Sequence, residues 1–109
     1  MKLFYENISQ NDMVPVEAPL EAVLDQALDV FERLPEDDGS SFGLITDEQI
    51  SIQFYKFNRF LWRAEIPDKE NDGFWTAVCS PNQIKVILKK LFDGEPAFSV
   101  YAFEFEKNH

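Results

Sequence analysis

This chain has little of what catalytic and metal sites are usually built from. Its 109 residues include one cysteine, Cys79, and one histidine, His109, the last residue. A lone cysteine rules out a disulfide within the chain and fits a reducing compartment. Without clustered His or Cys, or carboxylates at ligand spacing, no metal centre is expected. A nucleophile would have to be Cys79 or a serine beside a base. Cys79 sits at a strand end on an apolar face, where a buried packing role is the expectation. The four glycines are expected in turns, and no loop is expected to cradle phosphate. Lys and Arg number ten against twenty Asp and Glu, for a net charge of −10. Nucleic acid, which needs clustered positive charge, is therefore not an expected partner. No stretch is long enough to span a bilayer, and Met1–Glu6 lacks the apolar run of a signal peptide. These absences lead to an expectation of a cytoplasmic protein that is not an enzyme, binds no cofactor and touches neither nucleic acid nor membrane.

What is present is a single domain, residues 1–109, with a ring-rich core: aromatics make up 15% of the chain, eleven of them Phe. A chain of this length buries roughly two-thirds of its unfolded surface, enough for one core without staples. Gln49–Ile66 reads as a β-hairpin around which the rest is arranged. By period-two alternation, Ile50, Ile52 and Phe54 share one face. After a bend at Lys56–Arg59, Phe60, Trp62, Ala64 and Ile66 share another, opposite Leu61, Arg63 and Glu65. Asn58 is the bend residue best suited to a left-handed conformation. Phe57 falls at the tip, either folding back on Tyr55 or Leu61 or offering a contact to a partner. Each strand has one apolar side, as a sheet covered by helices requires.

Two helices are expected. Pro19 suits a first turn, and Leu20, Val23, Leu24, Ala27, Leu28, Phe31 and Leu34 follow at helical spacing before Pro35 ends the segment. Ser80-Pro81-Asn82-Gln83 has the N-cap serine, N1 proline and N3 glutamine of a capping box. It opens a helix whose buried stripe is Ile84, Ile87, Leu88 and Leu91, with Gly94 at C′. Phe42–Ile45 and Phe74–Cys79 read as strands, the latter apolar on both sides and led by the Asp72-Gly73 turn pair. Lys2–Glu6 is a short strand or a tether, and Phe98–Glu106 a final strand. The fold class is α+β, an antiparallel sheet of about four to five strands with two helices packed on one face. Trp62 is expected in the core; Trp75 is undecided.

Charge is distributed unevenly. Residues 1–50 hold twelve acids and two bases, whereas residues 51–109 hold eight of each. The acids Asp25, Asp29 and Glu32 line the polar face of the first helix, and Glu36, Asp37 and Asp38 form the loop after it. That loop lacks the ligand intervals of a calcium site. Complementary fields speed association, so a basic protein is the favoured partner. With Tyr55, Phe57 and Trp75, aromatics of the kind enriched at interfaces, these acids are the candidate partner-binding residues. A homodimer is left open.

The run Ala27–Leu34, the strand Ser41–Thr46, the hairpin Ile50–Ile66 and Cys79–Gln83 leading into Ile84–Phe92 carry a resemblance. Over about residues 20–105 the pattern, acidity and size are similar to small immunity proteins of bacterial polymorphic-toxin and contact-dependent inhibition systems. The resemblance implies a bacterial cytoplasmic protein that binds and neutralises a toxin domain, often a basic nuclease, with no fixed binding residues to carry over. The pattern also looks like acidic type III secretion chaperones, α+β dimers that hold an effector segment extended, although their third helix is missing after the last strand. An uncharacterised regulatory domain is the remaining alternative.

Overall fold

The computed structural model describes residues 1–36 and 39–108. In chain order the elements are β1 (Lys2–Asn7), β2 (Asp12–Val14), β3 (Leu20–Glu21), α1 (Leu24–Arg33), β4 (Ser41–Ile45), β5 (Ser51–Lys56), β6 (Trp62–Asp68), β7 (Gly73–Cys79), α2 (Pro81–Phe92), a 3-10 turn (Ala97–Ser99) and β8 (Glu104–Lys107). All the strands join one antiparallel sheet in the order β2-β1-β4-β5-β6-β7-β8, with β3 also pairing β1.

Residues directly opposite in an antiparallel pair share a face, so the register sorts the side chains. Leu3, Leu44 and Ile52 form one row. Phe42, Phe54, Ala64 and Ala77 form the next. Trp62 lies opposite Cys79. These residues are buried together with Ala27, Val30 and Phe31 of α1 and Ile84, Ile87, Leu88 and Leu91 of α2. Both helices therefore cover the same face. Rings fix the middle of this layer: Phe31 stacks on Trp62 at 4.8 Å and Phe42 on Phe54 at 4.8 Å between centroids. Such contacts add about 0.5–1.5 kcal/mol each beyond the area buried.

The α2 signals hold in full. The Ser80 side chain accepts from the Gln83 N–H at 3.2 Å, and the Gln83 side chain accepts from the Ser80 N–H at 2.7 Å. At the other end Gly94, at φ +89°, donates to Leu91 O, and Glu95 N–H donates to Lys90 O. This pair of bonds is a Schellman closure that satisfies two terminal carbonyls.

Other expectations are corrected. Among the described residues the sheet has eight strands, not four to five, and Gly43 and Gly73, expected in turns, lie in β4 and β7. The additional pairing is at the β1 edge, where β2 and β3 are three and two residues long, too short to display a period. The first helix starts at Leu24, not Pro19. Leu20 and Glu21 instead pair with Leu3 and Lys2, and Ala22 N–H donates to Met1 O. They fill the part of the β1 edge that β2 leaves unpaired, so main-chain bonding to the sheet outweighs helical periodicity. Leu20 and Val23 are consequently exposed rather than part of the buried stripe. Val23 has no oxygen to cap α1; only the reciprocal bond forms, from Val23 N–H to Gln26 Oε1. At the hairpin bend Asn58 is not left-handed; its side chain accepts from Phe60 N–H at 2.8 Å, closing an Asx turn. Phe60 lies in this loop and is 68% exposed, apart from the core face assigned to it by alternation. The last strand begins at Glu104, because the 3-10 turn occupies Ala97–Ser99.

Candidate functional site

No described helix covers the second face of the sheet, and the same registers define its composition. One row across it is Tyr55, Arg63 and Val78. The next is Gln53, Glu65, Thr76 and Glu104. Phe74 and Glu106 follow. Phe4, on the same face, lies over Gly43 and is buried without belonging to the main core.

Arg63 is the centre of this face. Its guanidinium reaches across β7 to Glu106, with an Nη2–Oε2 distance of 3.1 Å, and lies over the Phe74 ring at 5.4 Å. Arg63 Nε is 2.9 Å from Glu65 Oε1, but no hydrogen bond forms there, so this contact is an ion pair. Both ion pairs are partly exposed, and each is worth under about 1 kcal/mol. Their main effect is to hold the guanidinium flat across the sheet. The Thr76 hydroxyl, diagonal to Arg63, is buried with no hydrogen-bond partner among the described residues. Glu104 is exposed beside it.

Two hollows flank Arg63. One, about 330 Å³, is lined on its strand side by Arg63, Thr76 and Val78 and closed by Tyr101, Glu104 and Glu106. The other, about 380 Å³, is lined by Tyr55, Lys56, Phe57, Arg63 and Glu65, with Gly39 and Ser40 at its rim. Burial and then the charge of Glu65 push the Tyr55 phenol above its ordinary value, and its O–H donates to Gln53 at 2.9 Å. Beside the second hollow the hairpin loop exposes Phe57, Phe60 and Leu61.

The residues singled out in the sequence do not form one surface. Tyr55 and Phe57 line the second hollow. Asp25, Asp29 and Glu32 are on α1, across the sheet from that hollow, and all three are exposed. Asp29 pairs with Arg33 at 3.0 Å, and Glu32 lies 3.9 Å from Lys85 of α2. With Lys89 and Lys90 also on α2, the outer surface of the helical layer carries compensated charge. Glu36 is exposed; Asp37 and Asp38 lie outside the described residues. Trp75 is on the helical side near the β8 edge, half-buried against Phe98 and Phe105, and donates Nε1–H to Asp68 at 3.1 Å. Hydrogen bonds from Asn71 and Trp75 hold the Asp68 carboxyl below its ordinary range.

Sequence reasoning missed Arg63, Glu65, Glu104 and Glu106. The available signal was alternation: each lies opposite the apolar positions of its strand, and two facing strands with polar outer sides imply an uncovered face. Among the described residues no group of three or more His, Cys, Asp and Glu could hold a metal ion. No described helix is long and apolar enough to cross a membrane. Burial pushes the Cys79 thiol up to about 11, with a Tyr101 hydrogen bond partly opposing it, which disfavours the thiolate that a nucleophile requires. Comparison with protein-family models, curated proteins and solved structures finds no match.

Proposed function

We propose that this chain is a protein-binding inhibitor, of the immunity-protein kind its sequence resembles, and that the open face of its sheet receives a basic partner domain. The observation that carries this reading is the uncovered face itself. Glu65, Glu104 and Glu106 surround a single arginine there, with a hollow on either side. The helical layer makes a weaker candidate, because its acids sit beside the bases of α1 and α2. A basic domain would gain long-range attraction from the charge of −10 and would find apolar contacts at the exposed hairpin loop.

The test is affinity capture from the native lysate at low and high salt, using the wild-type chain and two variants. In one variant Glu104 and Glu106 become Lys; in the other Asp25, Asp29 and Glu32 become Lys. The expected result is one basic protein, lost at high salt and lost by the first variant but kept by the second. Expressed alone, that protein should arrest growth, and co-expression of this chain should restore it. Retention at high salt, or loss only with the α1 variant, would overturn the assignment of the surface. A captured protein that is harmless by itself would overturn the inhibitory role.

A further inference from the structure

The edge strand β8 bears on how such a partner could be held. Among the described residues nothing pairs with its outer side, and all four of its residues are exposed. Antiparallel ladders alternate pairs that exchange both main-chain bonds with pairs that exchange none. Asn108 N–H donates to Asp72 O at 2.8 Å, one step beyond the Gly73–Lys107 pair. Counting back along the register, Glu106 and Glu104 bond to β7, while the N–H and C=O groups of Phe105 and Lys107 point away from the sheet. The outer edge thus presents two donors and two acceptors to another chain.

The side chains decide what can dock there. Glu104 and Glu106 share the open face, whereas Phe105 shares the helical face with Trp75. A second copy fits poorly. Two-fold antiparallel pairing must bring residues of the same face together, so the axis passes through a residue. Centred on Phe105 it opposes Glu104 to Glu106; centred on Glu106 it opposes that residue to itself; centred on Lys107 it opposes two lysines. Like charges directly opposite destabilise a sheet, and charged edges of this kind suppress self-association. A strand of the opposite pattern meets no such penalty.

We propose that β8 accepts a ninth strand from a partner, an extended segment with Lys or Arg alternating with apolar residues. Its basic side chains lie on the open face against Glu104 and Glu106, beside the hollow that contains the Thr76 hydroxyl. Its apolar side chains lie on the helical side next to Phe105, in line with the Trp75–Phe98 pair. Main-chain bonds supply attachment and the alternating side chains supply selectivity. This inference rests on the reading that the partner is basic, and adds the mode of docking.

The probe is a blocked ten-residue peptide alternating lysine with valine, with a control of the same composition whose lysines are contiguous. Binding is read by amide exchange and NMR shifts on the full chain. The expected result is slowed exchange at the Phe105 and Lys107 amides on adding the alternating peptide and not the control. Glu104 and Glu106 amides, already bonded to β7, should change little. Lys107→Pro removes one outward donor, a position where an edge strand tolerates proline. It should weaken the peptide at least about tenfold at unchanged melting temperature, and Glu104→Lys with Glu106→Lys by a similar factor. Equal binding of the two peptides, or no new protection at Phe105 and Lys107 in the wild-type chain, would overturn the edge-docking inference. Should the Glu variants lose a captured basic protein that Lys107→Pro still binds, the open-face reading stands and the ninth strand falls. Loss of neither refutes both.

Discussion

Gly43→Ala tests how the open face is built. Gly43 lies in β4, with the Phe4 ring laid across it. A Cβ built at Gly43 would lie 2.2 Å and 2.6 Å from two Phe4 ring carbons and 2.7 Å from the Ile52 carbonyl oxygen. The Phe4 ring can swing away, but the Ile52 carbonyl belongs to the backbone of the paired strand and cannot move without disturbing the β4–β5 ladder. Phe4 is only 5% exposed. Lifting it into water loses roughly 2–3 kcal/mol of apolar burial, and forcing the strands apart costs about 1–3 kcal/mol on the overpacking scale. Replacing glycine within a strand returns roughly 0.5–1 kcal/mol through the unfolded state. Displacing the ring while the ladder is kept gives a net loss of about 1–2.5 kcal/mol. Urea unfolding followed by the fluorescence of buried Trp62 measures it, as a lower midpoint at unchanged slope. Phe4→Ala in the Gly43→Ala background should then cost at least about 1 kcal/mol less than Phe4→Ala alone, because the ring is already displaced. A stability equal to or above the wild type, or strict additivity of the two substitutions, would refute this account of the Phe4–Gly43 contact.

Three other outcomes are expected. Arg63→Met removes the one base among Glu65, Glu104 and Glu106 while keeping an apolar stem over Phe74; it should change stability by under about 1 kcal/mol and tighten binding of the lysine–valine peptide, and weaker binding would give Arg63 an attractive role. The raised Cys79 pKa means a stabilising term fully present below its ordinary 9.0 and eroding as pH rises toward about 11; thiol reagents at neutral pH should react at the rate of chain opening, and rapid stoichiometric labelling of the folded chain would contradict that burial. The lowered Asp68 pKa carries the opposite sign, a turn-holding contribution present above its ordinary 3.8 and lost as pH falls through the lower folded value; the Trp75 indole N–H resonance should move in that acid range, and an Asp68→Asn variant that keeps the same acid transition would assign it to another group.

Local chemistry along the chain sets several parts of this fold. The limits of α2 follow from Ser80, Pro81, Gln83 and Gly94, each of which satisfies or omits a specific main-chain bond within a few residues. The faces of β5, β6 and β7 follow from alternation, which any strand must obey whatever its neighbours. The burial of Trp62 and Cys79 followed from those faces. Tertiary structure decided the rest. Leu20 and Glu21 have helical spacing yet form strand, because the β1 edge offered main-chain partners that no local pattern records. The acids of α1 look like a charged patch along the chain, but α2 packs beside them and brings Lys85 within 3.9 Å of Glu32. Arg63 and Glu106 stand forty-three residues apart; β7, lying between their strands, carries them into contact. Charge counted along a sequence gives the total, while the packing of helices and the register of strands determine which surface displays it.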